Sequence, residues 1–267
     1  MTLSVGRGPT DASRPRGEGL PRLHVALLII VVGAACTRGN EDLLPRLKSA
    51  LAERDRKLTS YRFSAEAHQG DAVARHAFAF RSPNKMRGTL MEPDRFEWAF
   101  DGTTLARAHY RQHKLEVYAL KLPPAKASVF LHDTFSPFVF EGFRAPLLPP
   151  TGATAKLNGD KVEVSAKLAD DLDATWVFKW PSADFVSKST TVKGERSVIQ
   201  VDEEQCDAKL GLCVPKKVSQ HTGDTLIGST TLNEISLNPE LPEGEFTLHA
   251  GEGWTTETHE VIEQSTP

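Results

Sequence analysis

"YRFSAEAH", residues 61–68, alternates Tyr61, Phe63, Ala65 and Ala67 with Arg62, Ser64, Glu66 and His68. A period of two places the first set on one face of a pleated strand and the second on the other. The rule carries forward along the chain. Phe78 and Phe80 alternate with Ala77, Ala79 and Arg81, "SPNKMRG" (82–88) breaks the run at a Pro-Asn turn, and "RFEWAF" (95–100) resumes it. Asp101-Gly102 supplies a tight turn that tolerates positive φ, and "TTLARAHY" (103–110) and "KLEVYAL" (114–120) return as a further pair. The first half therefore reads as an antiparallel meander.

Upstream, the period is different. "NEDLLPRLKSALAERDRKLT" (40–59) spaces Leu43, Leu44, Leu47, Leu51 and Leu58 mostly three or four apart, with Asn40 as a candidate cap and Pro45 early in the first turns. That is one amphipathic helix. Downstream, residues 121–150 hold five Phe and six Pro without a sustained period. The prolines forbid a central strand and the aromatics need an apolar surface, so this segment is expected to form short helices and loops covering the open face of the sheet. Strands then resume in "TAKLNGDKVEVSAKL" (154–168), "DATWVFKW" (173–180), "ADFVSKSTTVKG" (183–194), "RSVIQVDEE" (196–204), "LCVPKKVSQ" (212–220) and "TLIGSTTLNEISLN" (225–238). Turn signals every eight to twelve residues give about eleven to thirteen strands plus a helix, with no repeat of fixed period.

The N-terminal segment "RLHVALLIIVVGAACTRG" (22–39) is an address. Its uncharged run from Val25 to Ala35 is 11 residues, and a bilayer-crossing helix needs about 20. Arg7, Arg14, Arg16 and Arg22 lie upstream and Gly33-Ala34-Ala35 close the run, the order of a secretory signal. "VGAAC" (32–36) resembles a bacterial lipobox, although Gly33 stands where Leu is usual and Gly33-x-Ala35 also suits ordinary signal peptidase. Cysteine parity bears on the choice: Cys206 and Cys213 in "CDAKLGLC" (206–213) are close enough to pair in an oxidising compartment, which leaves Cys36 alone behind the signal. Lipidation of Cys36 by fatty acyl chains such as palmitate accounts for it, and two or three chains anchor stably where one does not. Thr37 in place of Asp resembles the enteric signal for the outer membrane. The expected division is a lipoprotein-type signal peptide at 1–35, a lipidated N-terminus and tether at 36–40, and a single domain at 41–267.

Without residues 1–35 the chain keeps 28 basic and 33 acidic residues. The signs are interspersed, and the basic stripe of a nucleic-acid binder is missing from the sequence.

The order of N-terminal helix, "LTSYRFSAEA" (58–67), "PNKMR" (83–87), "FDGTTL" (100–105), a proline-rich apolar middle, "GLCVPKKV" (211–218) and "LNPELPEGEFTLHAGEGW" (237–254) is similar to the LolA/LolB lipoprotein-carrier superfamily of the bacterial envelope, including its RseB-like sensor domains. The resemblance covers nearly the whole chain after the signal. It implies a mainly β fold: a curved antiparallel sheet forming an incomplete β-barrel, with an N-terminal helix and a helical or loop lid. It also implies a non-catalytic, cofactor-free role in the envelope, that of binding acyl chains or lipoproteins in an apolar cavity for sorting, reception or sensing, with an envelope protein as a further partner. A curved sheet too wide to be filled by its own side chains leaves such a pocket.

Candidate lining residues are Phe63, Phe78, Phe80, Phe96, Trp98 and Phe100 from the sheet and Phe130, Phe135, Phe138 and Phe140 from the lid. Alternating aromatics of this kind also simply fill a core, and a filled core would make the protein a structural or protein-interaction lipoprotein. Arg87 matches the arginine of the family's Pro-Asn-x-apolar-Arg turn, which implies a lid latch. Gly88 and Thr89 depart from the family's bulky residues there, and a solvent-facing strand-end arginine is the plain alternative. A Cys206–Cys213 bridge closes a loop of about eight residues and is worth about 2.5 kcal/mol on the chain-entropy model. A metal reading would enlist His221 and Asp207 beside these cysteines, but no second cysteine pair supports it. The best catalytic material is His109, His113 and His132 with Asp101, Asp133 and Glu116; no nucleophile elbow, His-Glu-x-x-His run or phosphate loop accompanies it.

Overall fold

The computed structural model describes residues 42–92, 94–122, 142–146, 148–149 and 151–262. Cys36, the signal and tether, and the lid residues Phe130, His132, Asp133, Phe135, Phe138 and Phe140 lie outside them. Helix α1 (Leu43–Lys57) precedes six strands: β1 (Ser60–Gln69), β2 (Ala72–Arg81), β3 (Lys85–Glu92), β4 (Phe96–Phe100), β5 (Thr104–His109) and β6 (Lys114–Lys121). Seven more follow the proline-rich middle: β7 (Thr154–Asn158), β8 (Lys161–Ala169), β9 (Leu172–Lys179), β10 (Phe185–Val192), β11 (Glu195–Asp207), β12 (Leu212–Thr222) and β13 (Thr225–Leu237). A last strand, β14 (Thr255–Ile262), ends the described chain.

All fourteen strands form one sheet in the order β14-β6-β5-β4-β3-β2-β1-β13-β12-β11-β10-β9-β8-β7. The two meanders meet where β1 pairs with β13, and the sheet is curved but stays open between β14 and β7. Two features differ from the sequence expectation. The described residues form fourteen strands, and β14 runs parallel to β6, so the sheet is not purely antiparallel. The parallel pairing follows from how β14 arrives. Residues 238–254 cross the outer face as a strap, with Leu241 and Phe246 packed on Ala79, and Leu248 and Trp254 on Ala106, Ala108 and Leu115.

Alternation divides each strand between two faces. The inner face carries Tyr61, Phe63, Phe78, Phe80, Phe100 and Leu105 in one cluster, which Phe143 joins from the end of the proline-rich middle. Further round, Leu43, Leu47 and Leu51 of α1 lie against Val162, Val164, Trp176 and Phe178. Their helical spacing puts the leucines on one stripe. Arg54, Arg56 and Lys57 lie in the last turn of α1, where positive charge suits the helix dipole.

Asn238 fastens the junction of these parts. At φ +52 it adopts the left-handed conformation that asparagine tolerates. Its Oδ1 accepts from the Thr59 and Ser60 amides at 2.8 and 3.2 Å, and its Nδ2 donates to the Lys57 carbonyl at 2.8 Å. The start of the strap is thereby tied to the end of the helix.

Candidate functional site

The inner face has three zones. Around β1 and β2 it is filled: Phe63, Phe78, Phe80 and Phe100 are 2–5% exposed. Tyr61 stacks on Phe143 with ring centroids 4.7 Å apart and on Phe80 at 5.1 Å. Four of the ten aromatics expected to line a cavity, Phe63, Phe78, Phe80 and Phe100, thus belong to one buried cluster. The Tyr61 hydroxyl is buried there without a hydrogen-bond partner among the described residues, and burial pushes its pKa up.

Across β3 to β6 the apolar surface continues but is only partly buried, through Met86, Leu90, Trp98, Tyr118 and Leu120. Phe96 meets the edge of Trp98 at 4.1 Å and of His109 at 4.4 Å. Phe96 and Trp98 therefore sit at the transition from core to accessible surface. The third zone, where β7 to β10 are covered by α1, is closed by the leucine stripe.

A buried ion pair joins the helix-covered zone to the returning middle segment. Arg54 pairs with Asp184 and also donates to the Gly142 carbonyl at 2.8 Å and the Cys213 carbonyl at 3.0 Å. Asp184 accepts from the Cys213 amide at 3.0 Å. Burial lowers the Arg54 pKa against the raising effect of Asp184. Gly142 has φ +112, and a Cβ there would stand 2.9 Å from Phe185 Cβ, so a side chain is doubly excluded. The Cys206–Cys213 disulfide closes the β11–β12 hairpin next to this hub. Asp207 is used in that turn, accepting from the Lys209 and Leu210 amides, and His221 faces Ser219.

Arg87 lies on the opposite, outer face. It pairs with Glu97 and donates to the Glu245 carbonyl of the strap at 3.1 Å. Glu97 is 1% exposed. Burial opposes its charge, but hydrogen bonds from Arg95, Arg87 and the Tyr110 hydroxyl outweigh that and hold its carboxyl below the usual range. The partners of Arg87 among the described residues are thus Glu97 of β4 and the Glu245 carbonyl of the strap, while the lid it was expected to latch is outside those residues. Beside this knot, a groove of about 1020 Å³ runs over Ser64, Ala77, Ala79 and Thr89 between Arg62 and Glu245.

Of the catalytic candidates, Asp101 caps its turn by accepting from the Thr103 and Thr104 amides, and His113 stacks on Trp254. His109 is next to Glu116, with Nε2 3.2 Å from its Oε2. The sequence reading missed Arg54, Asp184, Glu257 and His259. Among the described residues no helix is long and apolar enough to cross a membrane.

No protein-family model matches the sequence, and neither does any curated protein. Among solved structures, the chain is similar to a LolA superfamily protein from Nitrosomonas europaea, at 10% identity and TM-score 0.48 over 76% of this chain and 97% of that one. It is also similar to an outer membrane lipoprotein-sorting protein domain from Vibrio parahaemolyticus, at 12% identity and TM-score 0.47 over 78% and 96%. A third likeness, to the MucA/MucB complex of Pseudomonas aeruginosa, has 13% identity and TM-score 0.38 and covers 76% of this chain and 60% of that one. Among its described residues the chain is a mainly β, open and curved sheet with one α-helix.

Proposed function

We propose that the protein is a non-catalytic, lipid-anchored component of the bacterial envelope that holds an acyl chain of a lipid or lipoprotein against its inner face, in sorting, reception or sensing. The observation that carries this reading is the continuity of apolar surface from the filled core at Phe80 and Phe100 onto partly buried Trp98, Leu90, Met86 and Leu120. A flexible hydrocarbon gains about 25 cal/mol for each Å² of apolar surface removed from water, and such a surface needs few polar groups to hold it. The anchor itself rests on the signal and Cys36 in the sequence. A protein held by its own lipid is suited to receive or sense a ligand near the membrane, where a soluble one is suited to ferry it. Outer-membrane attachment facing the periplasm is part of the same proposal, as are the lid phenylalanines Phe130, Phe135, Phe138 and Phe140 and the latch role of Arg87.

One observation favours a second reading. Phe63, Phe78, Phe80 and Phe100 are packed as a core, so the domain could work through its outer groove as an interaction protein with no bound lipid. Native mass spectrometry with lipid extraction, on the soluble form beginning at Thr37 purified without detergent from a bacterial periplasm, separates the two. Near-stoichiometric acyl ligand, lost in folded Trp98→Asp or Leu90→Asp protein, is the expected result. A clean ligand-free mass, unchanged after lipopeptide is added, overturns acyl binding and leaves the interaction reading.

A further inference from the structure

At the β14 end of the sheet, strand register brings imidazoles and carboxylates from three strands onto the inner face. Glu116 of β6 is directly opposite Glu257 of β14, and Tyr118 is opposite His259. His109 of β5 is opposite Lys114 of β6. Because side chains two residues apart share a face, these groups converge without any turn or loop to place them.

The two oxygens of Glu116 have different surroundings. Oε2 accepts from the Tyr118 hydroxyl at 3.0 Å and lies 3.2 Å from His109 Nε2. Oε1 meets Lys114 Nζ at 2.8 Å, and the same ammonium is 2.8 Å from Glu257 Oε2. His259 Nε2 is 3.6 Å from that Glu257 oxygen, and its ring stacks on Tyr118 with centroids 4.8 Å apart. Donor atoms of Glu116, Glu257 and His259 all lie within 4.8 Å of one another. Arg107 also faces Tyr118, its guanidinium 5.2 Å from the ring centroid.

We propose that Glu116, Glu257 and His259 form a binding site for a divalent transition metal of the Zn²⁺ class, and that the Lys114 ammonium is its built-in competitor. The donor set is mixed nitrogen and oxygen, which suits Zn²⁺ and is poor for Mg²⁺ or Ca²⁺. His109 and Tyr118 engage the far oxygen of Glu116, as outer partners of metal-bound carboxylates do, and the Tyr118 ring fixes the plane of His259. Lys114 already marks a position between two carboxylates where a cation is favourable. Its charge is carried on a flexible four-carbon stem, so it can withdraw when a stronger cation arrives. Bound metal would cross-link β14 to β6 at the free end of the sheet. This inference is independent of acyl binding.

The test is titration calorimetry of the purified protein, without a histidine tag, against ZnCl₂ and MgCl₂, paired with thermal unfolding. One equivalent of Zn²⁺ is expected to bind and raise Tm, with Mg²⁺ doing neither. His259→Ala and Glu257→Gln, both at accessible positions, should weaken Zn²⁺ binding about tenfold or more while the protein without metal stays folded. Lys114→Met should bind Zn²⁺ more tightly than the parent. Absence of Zn²⁺ binding overturns the proposal, as does binding that His259→Ala and Glu257→Gln leave unchanged or that Lys114→Met fails to strengthen.

Discussion

The two ends of the inner face are built from the same alternating strands and finished in different ways. Over β8 to β10, α1 lays Leu43, Leu47 and Leu51 against Val162, Val164, Trp176 and Phe178, and the charge that enters with Arg54 is met by Asp184. Over β3 to β6, Met86, Leu90, Trp98, Tyr118 and Leu120 are partly buried. Beyond them comes the polar cluster of Lys114, Glu116, Glu257 and His259. A regular helix can match a sheet with one apolar stripe and close it. A sheet end that carries both accessible rings and a partly exposed charged cluster is suited to recognition. Stability is therefore concentrated under the helix, and the proposed function places binding at the opposite end.

The largest effect that would break this comparison lies at the ion pair. Arg54→Met leaves Asp184 as a buried charge and removes donors from the Gly142 and Cys213 carbonyls. It should cost about 3–5 kcal/mol in urea unfolding, and a cost below about 1 kcal/mol would show that this end does not depend on the pair. Leu47→Ala, at a fully buried position, should cost about 3 kcal/mol by cavity formation without changing acyl binding by folded protein. Trp98→Ala should do the reverse, with a smaller stability loss than Leu47→Ala and a clear loss of bound lipid by mass spectrometry. Equal stability losses at the two positions would erase the distinction.

The smallest effect is electrostatic. Hydrogen bonding from Lys114, aided by Tyr118 and His109, lowers the Glu116 pKa to about 2, below the unfolded value of about 4.3. A depressed folded pKa contributes stability above the unfolded value, which is lost as pH falls from about 4.3 towards 2. The Tm gap between the parent and Glu116→Gln should therefore be widest near neutrality and narrow through that window. A gap that stays constant from pH 7 to pH 2.5 would refute the assignment.

How far the sequence discloses this arrangement depends on the range of each interaction. Local periodicity is sufficient for α1 and for the alternation in β1, β2 and β4, and Asp101-Gly102 turns where its residue types require. Strand β14 is harder to read because "TTETHEVI" (255–262) has polar groups on both faces. Its threonines, Val261 and Ile262 were the available signal. Its parallel pairing depends on the strap, which crosses several strands before it returns to the sheet. Arg54 sits in a helix among other charged residues and looks solvent-facing. Its burial is set by Asp184, 130 residues away. The filled state of Phe63, Phe78, Phe80 and Phe100 is equally non-local, because Phe143 completes it and alternation alone does not distinguish a core from a pocket wall.

The two tryptophans of the comparison give its most direct test. Trp98 lies at the accessible end and Trp176 under the helix, 2% exposed. Titration with a brominated fatty acid, followed by tryptophan fluorescence, reports which one an acyl chain approaches. The account predicts saturable quenching that disappears in Trp98→Phe and persists in Trp176→Phe. Quenching that survives Trp98→Phe and vanishes in Trp176→Phe, or no saturable quenching at all, would contradict it.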